Sequence, residues 1–293
     1  MKLLKMLRSH NRPSNADPIQ QYLDGGRLPF SPGYSPYRWG VIRQTINDAM
    51  LMGQFRQHQV LPAGYGQYLD ERVVEYPWLL SRLEPAGNLL LDAGSTLNNL
   101  TLLDHTALKS YKKFIVTLAP ESVCFWERSI SYIFGDLRDL LFRDNYFDVI
   151  ACISTLEHIG MDNTMIYTSD ETFKEYVRDD YLSAVRELRR VLKPGGKCYL
   201  TVPFGQYQYD VFQQQFDAMM LERVKETFHP TAVIEFFYRY SAGGWNTATQ
   251  AECSDCQYFN VHKTKYFDKN STLDFDADKA AAARAIAALE LTK

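Results

Sequence analysis

The residues best placed to do chemistry begin with the stretch Asn88-Leu-Leu-Leu-Asp-Ala-Gly-Ser-Thr-Leu-Asn-Asn99, where an apolar run gives way abruptly to Asp92, Gly94, Ser95 and Thr96. An apolar run bounded by turn residues reads as a strand buried on both faces, and the small polar residues after it open a turn onto a helix. Asp92 would stand at the strand tip as a fixed negative charge, and Gly94 would let backbone approach a ligand with no side chain between them. A single glycine falls short of the G-x-G-x-x-G that cradles a pyrophosphate, which argues against a dinucleotide. Arg72 and Glu75, three apart on the polar side of a helix just ahead of that strand, are either a solvated ion pair or a ligand clamp. Cys253-Ser-Asp-Cys256 has C-x-x-C spacing but no second pair, so no zinc site is expected there.

These groups need elements to hold them. Apolar residues at spacings of three and four predict a helix from Pro36 to about Phe55 and another from Leu69 to Leu83, interrupted at Pro77. After the opening strand, a helix of about a dozen residues through Leu102 and Leu108 is expected. Strands follow at Phe114 to Leu118, Ser131 to Phe134, Tyr146 to Ile153 and Lys197 to Val202. An amphipathic helix from Asp179 to Leu192 is stopped by Lys193-Pro-Gly-Gly196. Strands alternating with helices make a parallel sheet covered on both faces. Phe212 to Phe228 reads as a helix and Ala232 to Tyr240 as a strand; composition alone makes Ala280 to Leu291 a helix.

Composition bounds the rest. The chain has 293 residues, 46% hydrophobic and 23% charged, with a formal net charge of -3. That balance supplies no basic face for nucleic acid, and no apolar run approaches the roughly 20 residues that span a bilayer. Met1 to Arg8 carries a basic stripe without the continuous apolar core of a signal peptide, and reads as a frayed terminus. Five cysteines, mostly inside apolar runs, suggest reduced core thiols in a cytoplasmic protein. Aromatic residues at 14% crowd Phe30 to Trp39, Tyr65 to Trp78 and Phe204 to Phe216, where rings either pack loops or line a pocket for a sugar or other flat-faced substrate. The chain divides into an irregular segment (1–35), a helical cap (36–84) and an α/β domain (85–293) with an insertion at about 241–275.

Gly135-Asp-Leu-Arg-Asp-Leu-Leu-Phe142, then Phe147-Asp-Val-Ile-Ala-Cys-Ile-Ser-Thr-Leu-Glu-His-Ile159, then Glu187-Leu-Arg-Arg-Val-Leu-Lys-Pro-Gly-Gly196 follow the opening turn in order. This succession, across about residues 85 to 205, closely resembles the class I S-adenosylmethionine-dependent methyltransferases of the type 11 branch. The resemblance implies a Rossmann-like seven-stranded sheet, mostly parallel with an antiparallel last strand, and helices on both faces. It turns residues around Ile286 to Leu291 into strand seven, leaving only Lys279 to about Ala285 helical. It implies S-adenosylmethionine as cofactor. By the same resemblance, Asp92 positions the methionine amino end, and Gly94, Ser95 and Thr96 form the floor beneath the methionyl and ribose portions. Asp136 accepts from the adenine amino group, with the Leu137 amide facing the ring. Thr155 to His158 lie where sulfonium and substrate meet, and Tyr65, Gly66 and Arg72 belong to a lid over the methionine carboxylate.

The chain departs from that pattern in two places. The loop keeps one glycine of the usual set, and Thr117-Leu-Ala-Pro120 replaces the ribose-binding acid after strand two, leaving Glu121 as the nearest carboxylate if the Pro120 turn swings it inward. Methyl transfer to a protonated group needs a base, for which His158 is the best candidate, with Glu157 to orient it or to contact the cofactor. Tyr207, Tyr209 and Asp210 would shape the acceptor side. The expected function is methyl transfer to a small-molecule or glycan hydroxyl; the rivals are a non-catalytic scaffold with an eroded loop and a dinucleotide-dependent oxidoreductase.

Overall fold

The computed structural model describes residues 17–84 and 88–293. The basic stripe of Met1 to Arg8 lies outside the described residues. Helix α1 (Pro18–Asp24) falls within the segment expected to be irregular, started by the Asp17 side chain and a proline in its first turn. The helix expected from Pro36 to Phe55 is two helices, α2 (Tyr34–Ile46) and α3 (Ala49–Gln57). Asp48 leaves helical geometry between them and caps α3 by accepting from the Met50 and Leu51 amides.

Helix α4 (Arg72–Leu80) runs through Pro77, which has no N–H for the Val73 carbonyl one turn back. The Tyr65 hydroxyl donates to that carbonyl instead, at 2.5 Å. Strand β1 (Leu89–Ala93) follows, then the short helices α5 (Leu100–Leu103) and α6 (Thr106–Lys109), where one longer helix was expected. His105 separates them by capping α6.

Strands β2 (Lys112–Thr117), β3 (Ile130–Phe134) and β4 (Phe147–Ile153), helix α7 (Tyr181–Val191) and strand β5 (Leu192–Pro203) complete the parallel half. A small hairpin, β6 (Gln208–Asp210) with β7 (Gln213–Gln215), takes up the start of the helix expected from Phe212. Helix α8 (Ala218–Phe228) begins only where Asp217 caps it.

Strand β8 (Ala232–Ser241) turns through Ala242 and Gly243 into β9 (Gly244–Ala248); after helix α9 (Gln250–Cys253), β10 (Ala285–Thr292) ends the sheet. The alanine-rich tail is therefore a strand, and residues 280–284 leading into it are not helical. Its residues from Ala285 to Leu291 are buried in the middle of the sheet, where packing overrides the helix preference of alanine.

The main sheet has the order β3-β2-β1-β4-β5-β10-β8-β9, with β10 antiparallel to both neighbours. The expected seven strands are present, and β9 adds an eighth at the edge. Helices α2 to α4 cover one face, burying Ile42, Phe55, Val73 and Trp78 with Ile153 and Tyr199 of the sheet. Helices α7 and α8 cover the other, burying Leu188 and Val224 with Leu91, Cys152 and Leu200. Strand order reverses between β1 and β4, and the crevice beyond their carboxyl ends is where such sheets bind ligands. Among the described residues no helix is long and apolar enough to cross a membrane.

Candidate active site

At the tip of β1 the backbone turns through Gly94 (φ 114°) and Ser95 (φ 66°). A Cβ on Gly94 would lie 2.3 Å from the Thr155 hydroxyl oxygen, so only glycine lets the β1 and β4 tips approach this closely. Asp92 does not reach the cleft. Its carboxylate sits under the turn, accepting from the Leu97 amide at 2.9 Å and the Thr96 hydroxyl at 3.3 Å, and burial pushes its pKa up to about 7. The Thr96 carbonyl accepts from the Tyr76 hydroxyl of α4 at 3.0 Å. Glu121 accepts from the Ser95 hydroxyl, so the Pro120 turn does bring this carboxylate to the loop.

The cleft beyond these tips is walled by Gly94, Leu118, Asp136, Leu137, Thr155 and Ile159. Asp136 sits at the β3 end of it, already engaged. Arg138 donates to both Asp136 oxygens at 2.6–3.0 Å and also to Glu175 and Asp180, tying the β3 tip to the segment before α7. Burial works to raise the Asp136 carboxyl, but the Arg138 bonds overcome it and hold it below the ordinary carboxylate range.

Arg72 and Glu75 are not on a solvated face. Glu75 is fully buried and its carboxylate joins three elements: it accepts from the Ser154 hydroxyl at 2.5 Å (the β4 tip), the Thr201 hydroxyl at 2.6 Å (β5) and the Arg72 guanidinium at 2.6 Å. The signal for this was present in the sequence as a carboxylate flanked by the apolar residues Val73, Val74, Trp78 and Leu79 of an otherwise buried helix. Tyr65 and Gly66 lie away from the cleft. Tyr65 serves the carbonyl freed by Pro77, and Gly66 (φ 60°) packs where a Cβ would meet Val73 at 2.7 Å.

His158 follows on a short helical turn after β4. One ring nitrogen, Nδ1, is 2.8 Å from the Phe212 carbonyl, which only accepts, so Nδ1 carries the proton and Nε2 keeps its lone pair. Burial drives the His158 pKa down to about 4, against the opposing Phe212 bond, so the ring is neutral near pH 7. Its Nε2 is 4.0 Å from Glu157 Oε1. The other Glu157 oxygen, Oε2, is buried with no hydrogen-bond partner among the described residues, and burial raises this carboxyl well above its ordinary range.

A second cavity opens on the far side of His158. Arg38, Glu71, Arg72, Glu157, Tyr258 and Tyr266 are among its walls, and it shares His158 and Tyr167 with the first. Arg38, Glu71, Tyr167, Tyr258 and Tyr266 had no motif to mark them; they come from separate parts of the chain and converge only in the fold. Tyr207 and Tyr209 are exposed and line neither cavity, and Asp210 pairs with His262 at 3.1 Å. Among the described residues no group of three or more histidines, cysteines or acids could hold a metal ion, Cys253 and Cys256 included.

The first cleft suits an adenosyl group. Bare backbone at Gly94 admits close approach, Val116, Leu118, Leu137 and Ile159 offer an apolar bed for a flat ring, and Asp136 terminates it with a carboxylate. A family comparison agrees with this reading. Residues 93–200 match the model of the methyltransferase domain family. No curated protein matches the chain. Similar solved structures include the cyclase SpnF, 18% identical over 73% of this chain and 78% of that one with a TM-score of 0.44. A possible histamine N-methyltransferase from Thermotoga maritima is 11% identical over 87% and 100% (TM-score 0.42). The 1,6-didemethyltoxoflavin-N1-methyltransferase of Burkholderia thailandensis, solved with S-adenosylhomocysteine, is 12% identical over 70% and 71% (TM-score 0.38). The family match is to residues 93–200, which are similar to the methyltransferase domains and span the strand tips that wall the first cleft.

Proposed function

We propose that the chain methylates a hydroxyl of a small molecule or glycan. The observation that supports this reading is the junction of two cavities at His158 and Tyr167, one bounded by strand tips and the other by the helical cap and the segments after β5. S-adenosylmethionine, when bound, supplies a methyl group activated on a sulfonium. In this reading Gly94 and Thr155 cradle the methionyl and ribose portions, Glu121 held by Ser95 stands for the missing ribose acid, and Asp136 with Leu137 takes the adenine. Asp92 and Thr96 act through the turn they brace. Arg72 belongs to the acceptor cavity, and Tyr65 and Gly66 have no contact role.

A hydroxyl acceptor must lose a proton as it is methylated, and His158 is built to receive one. It is neutral, its tautomer is fixed by the Phe212 carbonyl, and it borders both cavities. Glu157, 4.0 Å from Nε2, is placed to pair with the ring once it is charged. The test is a thermal-shift titration with S-adenosylhomocysteine followed by an acceptor screen with labelled methyl donor. A ligand at about 100 times its Kd adds roughly 2.7 kcal/mol to folded-state stability, a rise of several degrees. A shift together with label on a hydroxyl is the expected result. A shift with label found only on nitrogen or carbon acceptors rejects the hydroxyl assignment, and no shift at all points to a scaffold.

A further inference from the structure

We propose that the second cavity is the acceptor site and that it takes an uncharged polyhydroxyl ring, a pyranoside, recognised through the side chains of Glu71 and Glu157. This rests on the methyl-transfer reading above and narrows its acceptor. The argument starts from charge. Both arginines on the cavity wall already carry an acidic partner: Arg38 pairs with Asp70, and Arg72 with Glu75 at 2.6 Å. An anionic acceptor would therefore have to compete with Asp70 and Glu75 for these arginines, whereas a neutral one would not.

Two carboxyls remain. Glu157, on the wall of this cavity, is 3% exposed and its Oε2 has no hydrogen-bond partner among the described residues, which leaves it able to meet a polar group there. Glu71 is 9% exposed and one of its oxygens takes the Ala283 amide at 3.3 Å. Burial, reinforced for Glu71 by Asp70 and Glu75, pushes Glu71 to about 8 and Glu157 well above its usual range. Near neutral pH this favours the protonated acid at Glu71, and burial acts in the same direction at Glu157; a carboxylic acid both donates and accepts, which suits hydroxyl groups rather than ions. Phe30, Tyr167, Phe212, Tyr258 and Tyr266 supply flat apolar faces around them for the C–H side of a sugar ring.

The experiment uses the full chain saturated with S-adenosylhomocysteine. Calorimetry measures binding of the methyl glycosides of glucose, galactose, mannose and rhamnose, with methyl glucuronide and methyl glucosaminide as charged counterparts. The expected result is that at least one neutral glycoside binds about tenfold or more tighter than either charged ring. Glu157→Gln should keep that binding, because an amide still donates and accepts, whereas Glu157→Leu should lose about tenfold. Tyr266→Ala, at the exposed rim, should weaken it without unfolding the core. S-adenosylhomocysteine affinity should stay the same in all three variants. A charged ring binding as well as the neutral ones overturns the proposal, as does equal loss in Glu157→Gln and Glu157→Leu. Failure of every glycoside to bind the loaded protein overturns it alone, while failure of S-adenosylhomocysteine to bind overturns the methyltransferase reading beneath it.

Discussion

Glu75→Ala is the most demanding perturbation of the site. The wild-type carboxylate accepts from Arg72 at 2.6 Å, Ser154 at 2.5 Å and Thr201 at 2.6 Å, and the residue is fully buried. Removing one partner of a buried ion pair typically costs about 3–5 kcal/mol, because the other charge is left uncompensated. The Arg72 side chain keeps 21% of its surface open to the acceptor cavity, and water there relieves part of the loss. The expected cost is therefore about 3 kcal/mol, at the lower end of that range. Against a total stability of roughly 5–15 kcal/mol the variant still folds. With a urea slope of about 3 kcal/mol per molar, its unfolding midpoint falls by about 1 M. Tryptophan fluorescence follows the transition, since Trp78 of the same helix is buried edge-on to Tyr199 of β5. Pairing the change with Arg72→Met removes the stranded cation, so the double variant should recover much of the loss and show strong non-additivity. A midpoint change under about 0.2 M for Glu75→Ala, or simple additivity in the double variant, refutes the account.

Other perturbations separate the parts of the site. Asp136→Ala should abolish the S-adenosylhomocysteine shift while leaving the fold intact, because Arg138 keeps Glu175 and Asp180; an unchanged shift means adenine lies elsewhere. Gly94→Ala drives a Cβ into Thr155 at φ 114°, and should cost about 1–3 kcal/mol in denaturant titration as well as the cofactor shift; wild-type values for both refute the close approach. His158→Ala should bind S-adenosylhomocysteine normally and lose turnover, and full activity removes it as base. In the wild type the base is active only when neutral, and its pKa is lowered to about 4. Turnover should then stay flat down to about pH 5 and fall as the pH drops through about 4, whereas an acid limb near the ordinary histidine value of about 6.5 contradicts the burial argument.

Much of this was legible from local chemistry. The turn after the apolar run marked Gly94, the resemblance marked Asp136, Leu137 and Thr155, and the structure puts all of them on one cleft because tips of a parallel sheet share an edge. The alanine tail shows where local preference misleads. Residues 285–292 are a strand because β5 and β8 offer backbone partners on both sides, information that no window on the tail contains. Arg72 and Glu75 were visible as a pair but not in depth, since spacing fixes a face of a helix and says nothing of what covers it. Tyr65 was assigned to a lid by its position ahead of β1; its hydroxyl in fact replaces the donor that Pro77 lacks. The acceptor cavity was the least legible part. Arg38, Glu71, Tyr167 and Tyr258 belong to separate segments, and the tautomer of His158 is set by a carbonyl 54 positions away.

The glycine-poor loop after β1 also acquires a physical reading. Where such a loop has extra glycines, its shape rests on backbone freedom. Here side chains hold it: Asp92 fastens the Leu97 amide and Thr96 hydroxyl from below, Glu121 takes the Ser95 hydroxyl, and Tyr76 takes the Thr96 carbonyl. Tyr76 lies next to Glu75 on α4, so this one helix fastens the loop after β1 through one residue and β4 and β5 through the other. The cap is for that reason part of the site's construction rather than a cover laid over it. Its Arg72 and Glu71 reach the acceptor cavity from the same turn of chain that braces the cofactor loop, which ties the geometry of the two cavities to a single element.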